Sequence, residues 1–105
     1  MRKNQKIFLS SSPEEFGTIC TCVETTKKKN VKKNGYLDVE AEVRITDCYK
    51  PINLEFSFDS KEKYLKRKEK LNTLIKALKQ FEKEMDMGYE DFKELKEYQK
   101  EMKED

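Results

Sequence analysis

The stretch YLDVEAEVRIT, residues 36–46, decides the fold class of this chain. Apolar residues stand at every second position of it and alternate with polar or charged ones: Leu37, Val39, Ala41, Val43 and Ile45. Because successive side chains of a strand point to opposite faces of a sheet, this alternation predicts a half-buried β-strand.

Three further segments on either side of this strand have strand character. Residues 52–58, INLEFSF, alternate in the same way, and residues 18–25, TICTCVET, are rich in β-branched side chains. The short segment KIFLSS, residues 6–11, predicts an edge strand. Short connections at 27–35 and 47–51 favour antiparallel neighbours, so residues 6–58 are predicted to form an antiparallel meander of three to four strands.

The period of the apolar pattern changes to 3.6 residues at Asp59. Asp59 and Glu62 are predicted to cap a long helix over residues 59–87, with Gly88 as its end and a second, shorter helix over 89–104. The two parts form either a helical hairpin or a single kinked helix. The apolar residues of the long helix form one stripe, which predicts that it packs on the sheet: Leu65, Leu71, Leu74, Ile75, Leu78, Phe81 and Met85. The predicted fold class is therefore α+β, in a single domain of residues 1–105.

The composition excludes several classes of function. The chain has 105 residues and no histidine, which removes imidazole acid/base catalysis, histidine triads and imidazole metal ligands. Its glycines are isolated, so phosphate-binding glycine motifs are absent from the sequence. We expect a protein that is not an enzyme and that uses no cofactor and no metal. No apolar run approaches a membrane span or a signal peptide, so a cytoplasmic protein is expected.

Three cysteines, Cys20, Cys22 and Cys48, fit a reducing compartment, because an odd number cannot form a closed disulfide framework. A structural zinc site needs four ligands, and histidine is not available to complete one. These residues are predicted to be small buried hydrophobes.

Charge is strongly segregated along the helical part of the chain. Residues 61–79 carry eight basic against two acidic residues, a net charge of +6. Residues 80–105 carry five lysines against ten acidic residues, a net charge of −5. If the two parts fold back on each other, their charges are complementary.

Three groups of residues are candidates for binding. The first is a lysine-rich segment, predicted to be an exposed hairpin loop that either contacts phosphates or is simply solvated: Lys27, Lys28, Lys29, Lys32 and Lys33. The second is the tight turn with Asp47, Tyr49 and Lys50, which is either a recognition tip or ordinary turn chemistry. The third is the aromatic stripe of the second helix, predicted to contact a second copy or a partner: Tyr89, Phe92, Leu95, Tyr98 and Met102.

Two stretches carry a resemblance to known proteins: RITDCYKPINLEFSF, residues 44–58, and KLNTLIKALKQFEKEM, residues 70–85. Together they resemble small phage and prophage accessory proteins of Gram-positive bacteria, in which a strand pair precedes a helix rich in lysine and glutamate. The resemblance implies a mobile-element protein, and proteins of that kind include inhibitors of host defence such as anti-CRISPR proteins. Proteins of that kind also include sponges that sequester signalling nucleotides.

Three functions follow as expectations. The first is a non-enzymatic protein that inhibits a host-defence component by occupying its surface. The second is a nucleic-acid-binding accessory protein that uses the lysines between Lys27 and Lys33. The third is an oligomeric sponge that encloses an anionic nucleotide between subunits, which requires a concave pocket at an oligomer interface.

Overall fold

The computed structural model describes residues 1–10, 17–47 and 50–104. Four strands form one antiparallel sheet in the order β1-β2-β3-β4: β1 Arg2–Phe8, β2 Thr18–Thr25, β3 Val39–Asp47 and β4 Lys50–Glu55. Two helices complete the described chain, α1 Lys28–Asn34 between β2 and β3, and α2 Lys61–Glu104 after β4. The predicted α+β class, with an antiparallel meander followed by a long C-terminal helix, is confirmed.

The register of the sheet separates an apolar face from a polar face. Four isoleucines lie directly opposite one another across the four strands, in the order Ile7, Ile19, Ile45 and Ile52. The row one position away, on the opposite face, is polar: Lys6, Cys20, Arg44 and Asn53. The alternation in the sequence thus becomes two chemically distinct surfaces, because the side-chain period of a strand is two.

Residues Lys28–Asn34 of the connection between β2 and β3 are helical, so the prediction of a hairpin loop there was wrong. Lysine is a good helix former, and Lys32 and Lys33 lie in the last turn, where positive charge interacts favourably with the helix dipole. Gly35 ends the helix with φ 64° and donates its N–H to the Val31 carbonyl at 2.8 Å. The Asn-Gly dipeptide therefore marks a helix end, since glycine reaches the left-handed region without strain.

A short polar contact holds the two ends of this connection together. The Thr26 N–H donates to the Asp38 carbonyl at 3.1 Å, and the Asp38 N–H donates to Thr26 Oγ1 at 2.8 Å. The Thr26 hydroxyl in turn donates to the Asp38 carboxylate. These bonds hold the residue after β2 beside the residue before β3. The two ends of the connection that contains α1 therefore lie next to each other.

The first turn of α2 is capped one residue later than predicted. Ser60 Oγ accepts from the Lys63 N–H at 3.2 Å, so Ser60 rather than Asp59 is the capping residue. Asp59 instead forms an ion pair with Lys63, at 3.1 Å between Oδ1 and Nζ. The helix begins at Lys61 rather than at residue 59.

Helix α2 runs through Gly88 without interruption, so the predicted division into helices 59–87 and 89–104 was wrong. Gly35 is the glycine with a positive φ in the described part of the chain, so Gly88 does not take the left-handed conformation of a helix end. A single glycine costs a helix only about 1 kcal/mol relative to alanine. The glutamates, lysines and methionines on both sides are strong helix formers, and no proline follows to stop the helix.

The chain divides into two compact units, residues 1–71 and residues 72–105. In the first unit, Phe56 is 7% exposed and is the one buried hydrophobic side chain among those that the structure describes. The beginning of α2 is tied to the segment around this residue: Arg67 Nε donates to the Ser57 carbonyl at 3.1 Å, and Lys70 Nζ donates to the Glu55 carbonyl at 2.6 Å. The core of this unit is therefore small and lies after the end of β4.

In the second unit, the apolar stripe of α2 stays exposed. Leu78, Phe81 and Met85 are 55%, 58% and 60% exposed. The sequence predicted that these side chains are covered, but they are not buried within this chain.

Candidate functional site

An apolar depression of about 400 Å³ lies where β3 begins and α2 begins. Val39 and Phe58 exchange backbone hydrogen bonds of 2.8 and 3.0 Å, which draws the segment after β4 alongside the start of β3. The Phe58 and Tyr64 rings meet edge to face, with centroids 5.1 Å apart. Leu37, 63% exposed, lines the same depression.

The lining of this depression suits an apolar side chain rather than a reactive group. Leu37, Val39, Phe58 and Tyr64 supply its apolar surface, and the charged residues Asp59 and Lys61 also line it. Its volume is at the lower end of the range for small-molecule pockets. Interfaces often anchor an aromatic or aliphatic side chain in a pocket of this kind.

The depression opens on the apolar face of the sheet. Thr25 and Val39 lie opposite each other at one end of this face, and the isoleucine row crosses its other end, six residues away along β2 and β3. Ile7 and Ile52, on the two edge strands, are 44% and 59% exposed. The apolar face, defined as the isoleucine row together with the depression, is therefore a partly open apolar surface.

The polar face of the sheet carries charged groups and two thiols. Cys20 lies between Lys6 and Arg44, and Cys22 between Asn4 and Glu42. Both are free, half-buried thiols, so the expectation of buried hydrophobes was wrong for these two residues. Cys48 lies outside the described residues. Among the residues whose placement is described, no cluster of three or more cysteine, aspartate and glutamate side chains could hold a metal ion.

The five candidate lysines surround α1, where all are exposed: Lys27, Lys28, Lys29, Lys32 and Lys33. The structure places four of them on one short helix and Lys27 directly before it. Lys27 and Lys29 share a depression with Glu24, Asp38 and Glu40, so carboxylates moderate the positive charge on that side.

The basic start of α2 lies at the same end of the sheet as α1. Because Val39 pairs with Phe58, the connection that contains α1 and the connection that leads into α2 leave the sheet side by side. Lys61 and Leu37 line one depression. Sequence alone left open whether these two basic regions are neighbours, since that depends on strand number and register.

The candidate turn between β3 and β4 is at the opposite end. Asp47 and Lys50 lie opposite each other in the register of the two strands, and both are exposed. The antiparallel pairing across this short connection is as predicted. Tyr49, the third residue of this group, lies outside the described residues.

The candidate aromatic stripe lies along the second half of α2, and its side chains are 55% to 67% exposed: Tyr89, Phe92, Leu95, Tyr98 and Met102. The Tyr89 and Phe92 rings stack with centroids 6.3 Å apart. Lys93 Nζ lies 5.2 Å from the Tyr89 ring centroid, and Lys96 Nζ lies 5.6 Å from that of Phe92. The lysines thus cover part of the stripe and leave the rest accessible.

Sequence reasoning missed the apolar depression. The alternation places Leu37 in a strand, and neither Leu37 nor Tyr64 belongs to a motif that marks a binding residue. Only the pairing of residues 39 and 58, which are distant in the sequence, brings their neighbours together.

Comparisons with protein-family models, curated proteins and solved structures find no match for this chain. Within the described residues, no helix has both the length and the apolar character needed to span a membrane.

Proposed function

We propose that this protein is a non-enzymatic binding protein that acts by occupying an apolar surface of another protein. The observation that carries the proposal is the apolar face, where Ile7, Ile52 and Leu37 are each more than two-fifths exposed. An exposed apolar surface of this kind on a small domain is typical of a protein interaction site. The depression beside Tyr64 would anchor one apolar side chain of the partner.

The resemblance of residues 44–58 and 70–85 to phage and prophage accessory proteins suggests what the partner is. On that basis the target is a component of bacterial antiviral defence, in the host cytoplasm. The mechanism is steric: the bound protein covers a surface that the target needs for its own substrate or partner. This needs no chemistry from the inhibitor, in keeping with a sequence that has no histidine.

The test compares two neighbouring substitutions on the exposed edge strand β4. Ile52→Gln changes the apolar face, whereas Asn53→Gln puts the same residue on the polar face. We expect Ile52→Gln to weaken partner binding at least about 10-fold, because burying an unpaired amide in an apolar interface costs about 1 to 3 kcal/mol. Asn53→Gln should bind as the wild type does. Both variants should fold, since Ile52 is 59% exposed in the free chain.

Binding is measured first by affinity capture from a Gram-positive host lysate with and without nuclease, followed by quantitative mass spectrometry. The captured protein is then purified and titrated with each variant in its own activity assay. A stoichiometric, nuclease-resistant partner that Ile52→Gln loses, and whose activity the wild-type chain inhibits, supports the proposal. Equal capture by both variants, or no partner that survives nuclease, contradicts it.

A second candidate function is nucleic-acid binding, and the position of α1 favours it. The lysines of α1 and the basic first turns of α2 leave the sheet at the same end, so their charges can act on one phosphate backbone. The carboxylates of Glu24, Asp38 and Glu40 beside α1 weigh against it.

Replacing all five lysines of residues 27–33 with serine tests this second function. If the helix contacts phosphates, DNA and RNA affinity at low salt should fall at least about 100-fold, and its dependence on salt should become shallower. A variant with five arginines keeps the charge and should bind as the wild type does. Unchanged binding by the serine variant in a fluorescence-anisotropy titration would remove α1 from any nucleic-acid interface.

A further inference from the structure

The continuous α2 carries a seven-residue repeat of apolar side chains that no interruption puts out of phase. Four residues occupy the first position of successive heptads: Leu71, Leu78, Met85 and Phe92. Four residues occupy the fourth position: Leu74, Phe81, Gly88 and Leu95. We call these eight positions the seam. A 3–4 spacing sustained over four heptads is the pattern of a two-helix coiled coil.

The seam exists only because α2 does not end at Gly88. If the helix broke there, the residues on either side would belong to two separate short stripes. As one helix, they line up on one side over about 36 Å, since 24 residues separate Leu71 from Leu95. Five of the side chains are 55% to 67% exposed: Leu78, Phe81, Met85, Phe92 and Leu95.

A helix with this much exposed apolar surface needs a partner, because most helical stability in proteins comes from packing an apolar face. The charges of α2 indicate which partner. Residues 61–79 carry a net charge of +6 and residues 80–105 a net charge of −5. A second α2 in the antiparallel direction places the basic part of each copy beside the acidic part of the other. In the parallel direction, like charges would lie side by side.

We infer that the seam is a self-association surface, on which a second copy of this chain docks its α2 in the antiparallel direction to form a two-fold symmetric dimer. In antiparallel coiled coils a first-position residue faces a fourth-position residue of the other helix. One register satisfies this for the whole seam, with the two-fold axis beside Lys83. It pairs Leu71 with Leu95, Leu74 with Phe92, Leu78 with Gly88, and Phe81 with Met85.

Gly88 has a role in this arrangement. Built onto its backbone, a Cβ atom would meet nothing within 4 Å in the single chain, so local packing does not require glycine there. In the dimer, Gly88 faces Leu78 and lies one layer from the bulky Phe81 of the second copy. The small residue leaves room for these large side chains near the centre of the interface.

The decisive experiment compares two methionines that are alike in the free chain. Met85 and Met87 are 60% and 66% exposed, but only Met85 lies on the seam. Glutamate has nearly the helix propensity of methionine, so Met85→Glu and Met87→Glu should leave the monomer equally helical. The mass of each protein is measured by sedimentation equilibrium over a range of concentrations, at low and high salt.

We expect a wild-type dimer whose dissociation constant rises with salt, because opposite charges attract across the interface. Met85→Glu, which places a charge on both sides of the axis, should dissociate at least about 100 times more readily. Met87→Glu should dimerise as the wild type does. The inference would be overturned if the wild-type chain stayed monomeric at the highest concentration measured, or if it formed an assembly larger than a dimer. Equal effects of the two substitutions would also overturn it.

Cross-linking tests the direction of the helices independently of the variants. Along one helix Lys70 and Lys96 are about 39 Å apart, and Lys66 and Lys100 about 51 Å, too far for a short lysine-reactive reagent. In the antiparallel dimer the members of each pair lie at the same height along the dimer, on different copies and within reach of the reagent. A mixture of ¹⁴N- and ¹⁵N-labelled protein should therefore give mixed-isotope links between Lys70 and Lys96. Links between Lys96 of one copy and Lys96 of the other would indicate a parallel dimer and overturn the inference.

Discussion

Phe56→Ala is expected to lower the free energy of unfolding of the sheet unit by about 3 to 5 kcal/mol, the usual cost of removing a buried phenylalanine. Its ring is 7% exposed, and Lys70 Nζ lies 4.8 Å from its centroid. Its backbone N–H donates to the Ala41 carbonyl at 2.8 Å, so the residue is also part of the link between β3 and the start of α2.

The loss would be a large part of the total stability of the unit, because the free energy of unfolding of a native protein is only about 5 to 15 kcal/mol. We expect a much earlier unfolding midpoint in urea, followed by far-ultraviolet circular dichroism. Phe8→Ala is the matched control: Phe8 is 69% exposed, and its removal should cost less than about 1 kcal/mol. Equal losses for the two variants would show that Phe56 is not the centre of the core.

Substitutions of Gly88 are expected to have the second large effect on stability. The sign of the Gly88→Ala effect distinguishes a continuous helix from a broken one. In the middle of a helix, Gly88→Ala should stabilise by about 1 kcal/mol, because alanine loses less backbone entropy. Gly88→Pro should destabilise by about 3 kcal/mol or more, because proline removes a helical hydrogen bond and clashes with the preceding turn. The readouts are the helical circular dichroism signal and its thermal midpoint.

Gly35→Ala serves as the control for this pair, since Gly35 has φ 64° and alanine there is strained. The same substitution should therefore stabilise at position 88 and destabilise at position 35. At a concentration at which the chain is monomeric, a destabilising Gly88→Ala would mean that the helix ends at Gly88 in the left-handed conformation, as its sequence context suggested.

The sequence pattern predicted a hairpin turn at Gly35 and a helix end at Gly88, and both predictions were wrong for the same physical reason. Gly88 and the Asn34–Gly35 dipeptide are ambiguous locally, because glycine is tolerated inside a helix, at its end and in a hairpin. Gly35 ends a helix that the lysines before it can form, and Gly88 lies within one that strong helix formers on both sides continue. Such choices depend on small differences in local free energy that a pattern does not resolve.

The sequence by itself determined the elements that periodicity defines. The alternation from Leu37 to Ile45 and from Ile52 to Phe58 determined two strands and their apolar face, and the change of period after Asp59 determined a long helix. It also determined the separation of charge along that helix. These features are local, since each depends on neighbours within a few residues.

Only the tertiary structure decided how these elements meet. The pairing of Val39 with Phe58 created the apolar depression beside Tyr64 and placed α1 next to the start of α2. The open edges of the apolar face, at Ile7 and Ile52, follow from strand order rather than from composition. The physical reason is that register and exposure depend on contacts between residues far apart in the chain, and periodicity describes only those close together.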